Sequence, residues 1–278
     1  MTNTISDTLR VAGAAVALVL CAAIAPLSPA QSPATTKPQT AGPATKPQPA
    51  AKRESIQIMV VKVKPEMLDQ WLEFQRSETI PMLKKSGLPM RDAWTTATFG
   101  EGFTYAFVTP IESFAQYDGD ARPVRALGAD AARAYGEKNR RFVESTHTYF
   151  AQTRPDLSHD IKMTAPPKLA LLSTVQLAPG KSAEFEAFVK SDVLPVMRKA
   201  RVGYAVSETV LGGTVGEMTT LIFYDSFAEI GKGHPFQRIL GVEGERQLTA
   251  RAAAFVARVE RNVIRYVPEL SFAARPTS

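Results

Sequence analysis

The four residues Pro155-Asp156-Leu157-Ser158 return as Pro268-Glu269-Leu270-Ser271, 113 residues further along the chain. The pair Phe142-Val143 returns as Phe255-Val256 at the same spacing of 113 residues. Two matches at one spacing indicate that a domain-sized unit occurs twice. This duplication decides the architecture, because each copy must fold in the same way and then bury the surface that it leaves exposed.

A third match extends the repeat toward the start of each copy. Ile80-Pro81-Met82-Leu83-Lys84-Lys85 corresponds to Leu194-Pro195-Val196-Met197-Arg198-Lys199, at a spacing of 114 residues. The proline inside each predicted helix removes one backbone donor and predicts a kink there. We place the two copies at residues 56–160 and 168–272.

Each copy has the hydrophobic pattern of strand, helix, strand, strand, helix, strand. In the first helix, Trp71 and Phe74 of copy one correspond to Phe185 and Phe188 of copy two, so we expect one buried aromatic face. This order of elements is that of the ferredoxin-like unit. We therefore predict an α+β fold in which two tandem ferredoxin-like βαββαβ units pack as a pseudo-twofold α/β barrel.

The chain starts with a segment that has the features of a secretory signal. An apolar run covers residues 11–27, and Ser28 and Ala30 supply the small residues of a cleavage site. A retained membrane anchor is the alternative, although the run reaches Pro26 before the usual spanning length of about 20 residues. We predict a signal peptide over residues 1–30, and hence an exported, periplasmic or secreted protein without a stable membrane span after cleavage.

Composition limits the classes of partner. Residues 31–52 are a predicted disordered linker, rich in Pro, Ala and Thr and without large apolar residues. The formal net charge of +6 is dispersed, and Lys84-Lys85 and Arg198-Lys199 each end a predicted helix, where cations complement the helix dipole. We therefore predict no nucleic-acid binding.

Cys21 is the single cysteine and leaves with the signal, so no disulfide is expected. Because duplication places both copies in one chain, we expect a monomer.

The tandem units resemble the dimeric α/β-barrel superfamily in a fused form, because the first helix of each carries Ile80-Pro81-Met82 or Leu194-Pro195-Val196 shortly before a glycine. The resemblance covers residues 56–272, and the superfamily includes antibiotic-biosynthesis monooxygenase-like and NIPSNAP-like proteins. It implies a pocket between sheet and helices in each copy. Members use such pockets for haem degradation, cofactor-free oxygenation of aromatic ketides, isomerisation or the binding of unidentified ligands.

Three functions follow as alternatives. The first, which we favour, is an exported binding or accessory protein whose pockets hold a small apolar or aromatic molecule. The second is a cofactor-independent monooxygenase-like enzyme of the same fold. The third is a structural or interaction module without a ligand. The sequence leaves open whether the protein is an enzyme, and it identifies no catalytic residue.

His234 is the first candidate for ligand binding, because it stands where copy one has Arg122. A histidine titrates near neutral pH and can both donate and accept hydrogen bonds, whereas an arginine stays charged. We therefore expect copy two to bind, through His234 with Tyr224 and Arg238 nearby. Arg122 is the matching candidate in copy one.

No metal ion and no cofactor is predicted. His147, His159 and His234 are far apart in the sequence, and the processed chain has no thiolate, so a metal site lacks ligands. For haem-degrading relatives, the resemblance implies an axial histidine in the segment that holds His234, together with a first-strand asparagine and a pocket tryptophan. Copy two offers neither of these two residues at such a place, which argues against haem.

The first prediction concerns processing. We expect the exported protein to begin at Gln31, because Ser28 and Ala30 follow a short apolar run. The intact mass of the natively exported protein measures this. A retained segment 1–30, or a lipid mass on Cys21, would contradict the prediction.

Overall fold

The computed structural model describes residues 52–161 and 166–273. The predicted signal peptide and all but the last residue of the predicted linker lie outside these ranges. Within the described residues, no helix is long and apolar enough to cross a membrane.

The elements of the first copy follow one another as expected from its hydrophobic pattern. They are β1 (Ser55–Val63), α1 (Leu68–Phe74), α2 (Ile80–Lys85), β2 (Met90–Thr96), β3 (Thr104–Pro110), α3 (Arg122–Leu127), α4 (Ala129–Phe142) and β4 (Val143–Thr153). The second copy contains β5 (Leu169–Leu177), α5 (Ser182–Phe188), α6 (Leu194–Ala200), β6 (Tyr204–Leu211), β7 (Glu217–Tyr224), α7 (Phe227–Ile230), α8 (Pro235–Ala252) and β8 (Val256–Tyr266). A two-residue strand, β9 (Phe272–Ala273), pairs with the start of β2.

The eight long strands form a single closed antiparallel β-barrel. Their order is β3-β1-β4-β6-β7-β5-β8-β2, and β2 also pairs with β3, which closes the ring. Every neighbouring pair of strands is antiparallel.

The predicted fold, two ferredoxin-like units packed as a pseudo-twofold α/β barrel, is therefore wrong. Two separate sheets would each keep edge strands with unpaired N–H and C=O groups, which are open to pairing with other chains. Instead, Ala151 of β4 pairs with Thr209 of β6, and Trp94 of β2 pairs with Tyr266 of β8. The described residues accordingly form one compact unit, and the division into 56–160 and 168–272 stays a prediction.

Side chains fill the inside of the barrel. Trp94, Ala170 and Ile264 form a buried cluster there, against which Phe223 packs. The rings of Trp94 and Phe223 lie 6.4 Å apart although β2 and β7 are not neighbours in the sheet, so this contact crosses the interior. The space for a ligand must therefore lie on the outer face, between the strands and the helices.

The outer face carries one apolar core for each copy. Trp71 and Phe74 of α1 are buried in one, and Phe185 of α5 is buried in the other, while Phe188 is half-buried. The aromatic helix faces expected from the repeat thus pack against the sheet.

The repeated Pro-(Asp/Glu)-Leu-Ser segments join each copy to the other. Ser158 accepts a hydrogen bond at Oγ from the backbone N–H of Val206, at 2.9 Å. Ser271 accepts the same bond from Ala93, also at 2.9 Å. These matching bonds place Ala93 and Val206 at corresponding positions, 113 residues apart.

The second prediction concerns the core. Phe185 is 5% exposed and its ring packs edge-on against Phe255. We expect Phe185→Ala to lower the free energy of unfolding by about 3–5 kcal/mol, since it removes a buried ring and leaves a cavity. Urea unfolding measures this, with Phe99→Ala, at a site that is 63% exposed, as the control. Equal losses for both variants would contradict the packing described here.

Candidate functional site

Each copy has a cavity at a corresponding place, and the larger of the two lies between the outer face of β1 and β3 and the helices of the first copy. This first cavity has a volume of about 490 Å³. Its lining includes Trp71, Gln75, Arg91, Phe107, Arg122 and Tyr135. Such a volume falls in the range of small-molecule sites.

The helix prolines shape the wall of this cavity. Pro81 has no N–H for the carbonyl of Ser77, and the turn Gln75–Thr79 before it is a π-helix. The N–H of Ile80 donates to the carbonyl of Gln75, five residues back. This wider turn sends the buried side chains of Gln75 and Thr79 into the cavity lining.

The acidic residues beside the prolines have a structural role. Glu78 forms an ion pair with Lys138 of α4. Asp192 forms the corresponding pair with Arg251 of α8. Both pairs connect the π-helical turn to the long helix of the same copy, and neither carboxylate lines the first or the second cavity.

Arg91 is the most unusual residue of the first cavity. Its side chain is 2% exposed, on a strand position that faces the helices. Its Nε donates to the carbonyl of Leu270 at 3.0 Å, and its Nη1 donates to Oε1 of Gln75 at 3.2 Å. The guanidinium carbon lies 4.3 Å from the centre of the Phe107 ring. Three contacts thus fix the direction of the guanidinium.

The charge of Arg91 has no counter-ion in the described part of the chain. No Asp or Glu there forms an ion pair with it, and its Nη2 is buried without a hydrogen-bond partner. Burial lowers the pKa of Arg91 to about 10, so the side chain stays protonated at neutral pH. A buried cation without a partner is costly, unless another group supplies the missing negative charge.

A second buried arginine shows the usual solution. Arg154 is also 2% exposed, and three carboxylates surround it. Asp156 accepts two hydrogen bonds at 2.9 Å, Glu186 accepts one at 2.8 Å and Glu208 one at 3.4 Å. The Arg154 guanidinium holds the pKa of the Asp156 carboxyl well below its usual range. This fold can therefore supply a buried arginine with counter-ions, whereas Arg91 has none among the described residues.

Further polar groups line the first cavity near Arg91. The Tyr135 hydroxyl lies 3.0 Å from the Thr79 hydroxyl, and burial raises the pKa of Tyr135. Gln116 presents a second buried donor, Nε2, without a partner among the described residues. The cavity therefore combines aromatic walls with donors that lack acceptors.

The second copy has a cavity at the corresponding place, with a volume of about 300 Å³. Around the position of Arg91 its wall is less polar, although Arg258 and Arg261 also line this cavity. Tyr204 occupies the position of Arg91, and Val189, Val193 and Leu248 replace Gln75, Thr79 and Tyr135. Duplication thus produced two cavities at corresponding places that differ in volume and in the chemistry of these positions.

His234 lies in this second cavity. It is the N-cap of α8, and its Nδ1 accepts a hydrogen bond from the N–H of Phe236 at 3.3 Å. Burial and, to a smaller extent, the charge of Arg261 together lower the pKa of His234 to about 4. The imidazole is therefore neutral at physiological pH.

The predicted ligand-binding residues do not converge. His234 lines the second cavity, whereas Tyr224 and Arg238 line a separate polar depression of about 390 Å³. Arg122 lines the first cavity, where it is half-buried, and its pKa is lowered by burial and by the nearby Arg125. The assignment of the site to copy two stays a prediction.

Sequence reasoning missed Arg91, Gln75 and Tyr135. One signal was present: at the spacing of the repeat, these three polar residues match Tyr204, Val189 and Leu248. A polar residue that replaces an apolar one at a core position of a duplicated unit marks a difference in chemistry.

Solved structures share this fold. No known family profile matches the chain, and no curated protein is similar to it. A proposed monooxygenase from Fusobacterium nucleatum subsp. nucleatum is 10% identical with a TM-score of 0.52, over 76% of this chain and 91% of that one. A mutant chlorite dismutase from Candidatus Nitrospira defluvii is 8% identical with a TM-score of 0.50, over 79% and 93%. An uncharacterized NIPSNAP domain protein from Burkholderia xenovorans, 12% identical, aligns over 40% of this chain and 98% of its own length, with a TM-score of 0.30. For the two neighbours with TM-scores of 0.52 and 0.50, the likeness at these identities shows the fold alone.

Haem, which some members of the superfamily named above degrade, does not fit the residues as arranged. A neutral imidazole that accepts a hydrogen bond at Nδ1 carries its proton on Nε2, so His234 offers no lone pair to an iron. No histidine is among the described residues that line the first cavity. Within the described ranges, no group of three His, Cys, Asp or Glu residues is placed to hold a metal ion.

The third prediction concerns His234 and pH. Its pKa in the folded protein is about 4, below the usual 6.5, so His234 takes up a proton at a higher pH in the unfolded chain than in the folded protein. The free energy of unfolding therefore falls as the pH drops from about 6.5 to 4. In His234→Asn the asparagine keeps a capping side chain but does not titrate. Between pH 7 and pH 4.5, we expect the wild type to lose about 1–2 kcal/mol more unfolding free energy than the variant. Urea unfolding at the two pH values tests this, and equal losses would contradict it.

Proposed function

We propose that this protein binds a small, mostly apolar molecule in the first cavity. The observation that carries the proposal is the buried Arg91, whose Nη2 has no partner in the described chain although it belongs to the wall of a 490 Å³ cavity. A structural core of this kind is normally satisfied, as the surroundings of Arg154 show. A ligand whose acceptor group bonds to Nη2 accounts for an arginine at this position.

The walls of the first cavity support an apolar or aromatic ligand body. Trp71, Phe107 and Tyr135 line it together with the methionines Met59 and Met82. Aromatic and thioether side chains give large, adaptable contact surfaces to flat apolar molecules. We also propose that the protein is a member of the dimeric α/β-barrel superfamily. The fold likeness to the Fusobacterium protein supports this membership.

A monooxygenase-like enzyme is the second candidate. The fold likeness to a proposed monooxygenase favours it, at a TM-score of 0.52. Oxygen uptake by the protein in the presence of a bound phenolic compound such as 1-naphthol distinguishes the two candidates. Uptake that requires the intact first cavity would support the enzyme, and binding without uptake would support the binding function.

Export is part of the proposed function. Its support is the apolar run 11–27 followed by Ser28 and Ala30 at the start of the sequence. An exported protein with such a cavity would meet its ligand outside the cytoplasm.

The fourth prediction tests the cavity. Thr146 of β4 lines the first cavity, and Val259 of β8 is the matching residue of the second cavity. Thr146→Phe places a ring in the first cavity, and an aromatic residue opposite the β-branched Val61 is compatible with a strand pair. Quenching of tryptophan emission by 2-naphthamide and 2-naphthoate measures binding, since Trp71 lines the first cavity.

We expect the wild type to bind at least one of the two naphthalene compounds. Thr146→Phe should weaken this binding by roughly tenfold or more, since burial of the ligand is lost. Val259→Phe is the matched control and should leave it unchanged. If Val259→Phe weakens binding and Thr146→Phe does not, the site belongs to the second copy. If the wild type binds neither compound, the proposed function is contradicted.

A further inference from the structure

The first cavity has a strong bias of charge. Three arginines, Arg91, Arg122 and Arg125, are among the described residues that line it, and no Asp or Glu is among them. Arg91 is buried, whereas Arg122 is half-buried and Arg125 is exposed. The positive charge therefore extends from the solvent-facing end of the cavity to its buried end.

The three arginines differ in how much charge compensation they need. Arg122 and Arg125 have access to water and salt, which screen their charge. Arg125 also donates to the carbonyl of Asp120. Arg91 is shielded from solvent and has one unused donor, Nη2, so it needs one negative charge that the described chain does not provide.

We propose that the first cavity selects a singly charged organic anion, a carboxylate on an apolar or aromatic body, with the Arg91 guanidinium as its counter-ion. This inference rests on the proposed function and names the class of its ligand. A carboxylate fits this place because one of its oxygens can accept a charge-assisted hydrogen bond from the unpartnered Nη2, while its charge compensates the guanidinium. The Phe107 ring and the Gln75 amide hold the guanidinium in place before a ligand arrives.

The second cavity provides an internal comparison. There the position of Arg91 is taken by Tyr204, whose side chain is buried and neutral, because burial raises its pKa. The neighbouring positions carry Val189 and Val193, which cannot orient a guanidinium. The scaffold thus does not need a cation at this place, which separates a ligand-related role of Arg91 from a requirement of the fold.

The test compares two ligands of the same shape, 2-naphthoate and the neutral 2-naphthamide. We expect the wild type to bind naphthoate more tightly by roughly tenfold or more, as charge-assisted hydrogen bonds in a buried site predict. Arg91→Met should remove this preference and bind both compounds alike. Arg133→Met, which removes one positive charge from the exposed side of α4, is the matched control and should keep the preference.

A thermal-unfolding measurement and one further variant test whether misfolding causes a loss of preference. Thermal unfolding shows whether Arg91→Met is folded, and Gln75→Val introduces the residue of the second copy beside an intact Arg91. We expect Gln75→Val to reduce the preference for naphthoate without removing it, because the charge stays while its orientation is lost. The preference of the wild type is itself a test that needs no variant.

Several outcomes overturn the inference. Equal binding of both compounds by the wild type does so and leaves the proposed function intact. Retention of the preference in a folded Arg91→Met does so as well, and its loss in Arg122→Met alone would move the counter-ion to Arg122. Binding of neither compound contradicts the proposed function, so the two failures are distinguishable.

Discussion

Backbone hydrogen bonds between the two copies close the barrel, and the rest of the structure depends on this closure. β4 pairs with β6 and β2 with β8, so neither copy keeps a free edge at these strands. The terminal segment of each copy then crosses to the other, where Ser158 and Ser271 accept bonds from a facing strand. Arg91 stands on β2 at one of these junctions and donates to the carbonyl of Leu270. The candidate site is thus lined by the first copy, and the second copy holds its buried arginine through one backbone carbonyl.

Duplication allowed the two copies to differ where the barrel does not depend on the residue. The core aromatics Trp71 and Phe185 match, and so do the π-helical turns and the ion pairs of Glu78 and Asp192. The cavity walls differ, because a cavity residue contributes little to closure. A buried cation without a counter-ion lowers stability, and two large apolar cores can offset that cost.

Some boundaries could not be predicted from local pattern. The sequence favours a helix over residues 242–259, whereas α8 ends at Ala252 and β8 begins at Val256. Strand pairing explains the difference. Val259 lies opposite Val175 of β5, so the pairing with β5 holds the end of the predicted helix in the sheet. Partners distant in sequence override local preference in this way.

The sequence by itself determined the duplication, the order of the elements, the buried aromatic helix faces and the disturbance at Pro81 and Pro195, because all of these follow from spacing and local backbone chemistry. The tertiary structure alone decided how the strands join, since edge pairing connects residues far apart in the chain. It also decided the site. Burial, the missing carboxylate and the orientation by Gln75 make Arg91 distinctive, and none of these can be read from an arginine in a strand pattern.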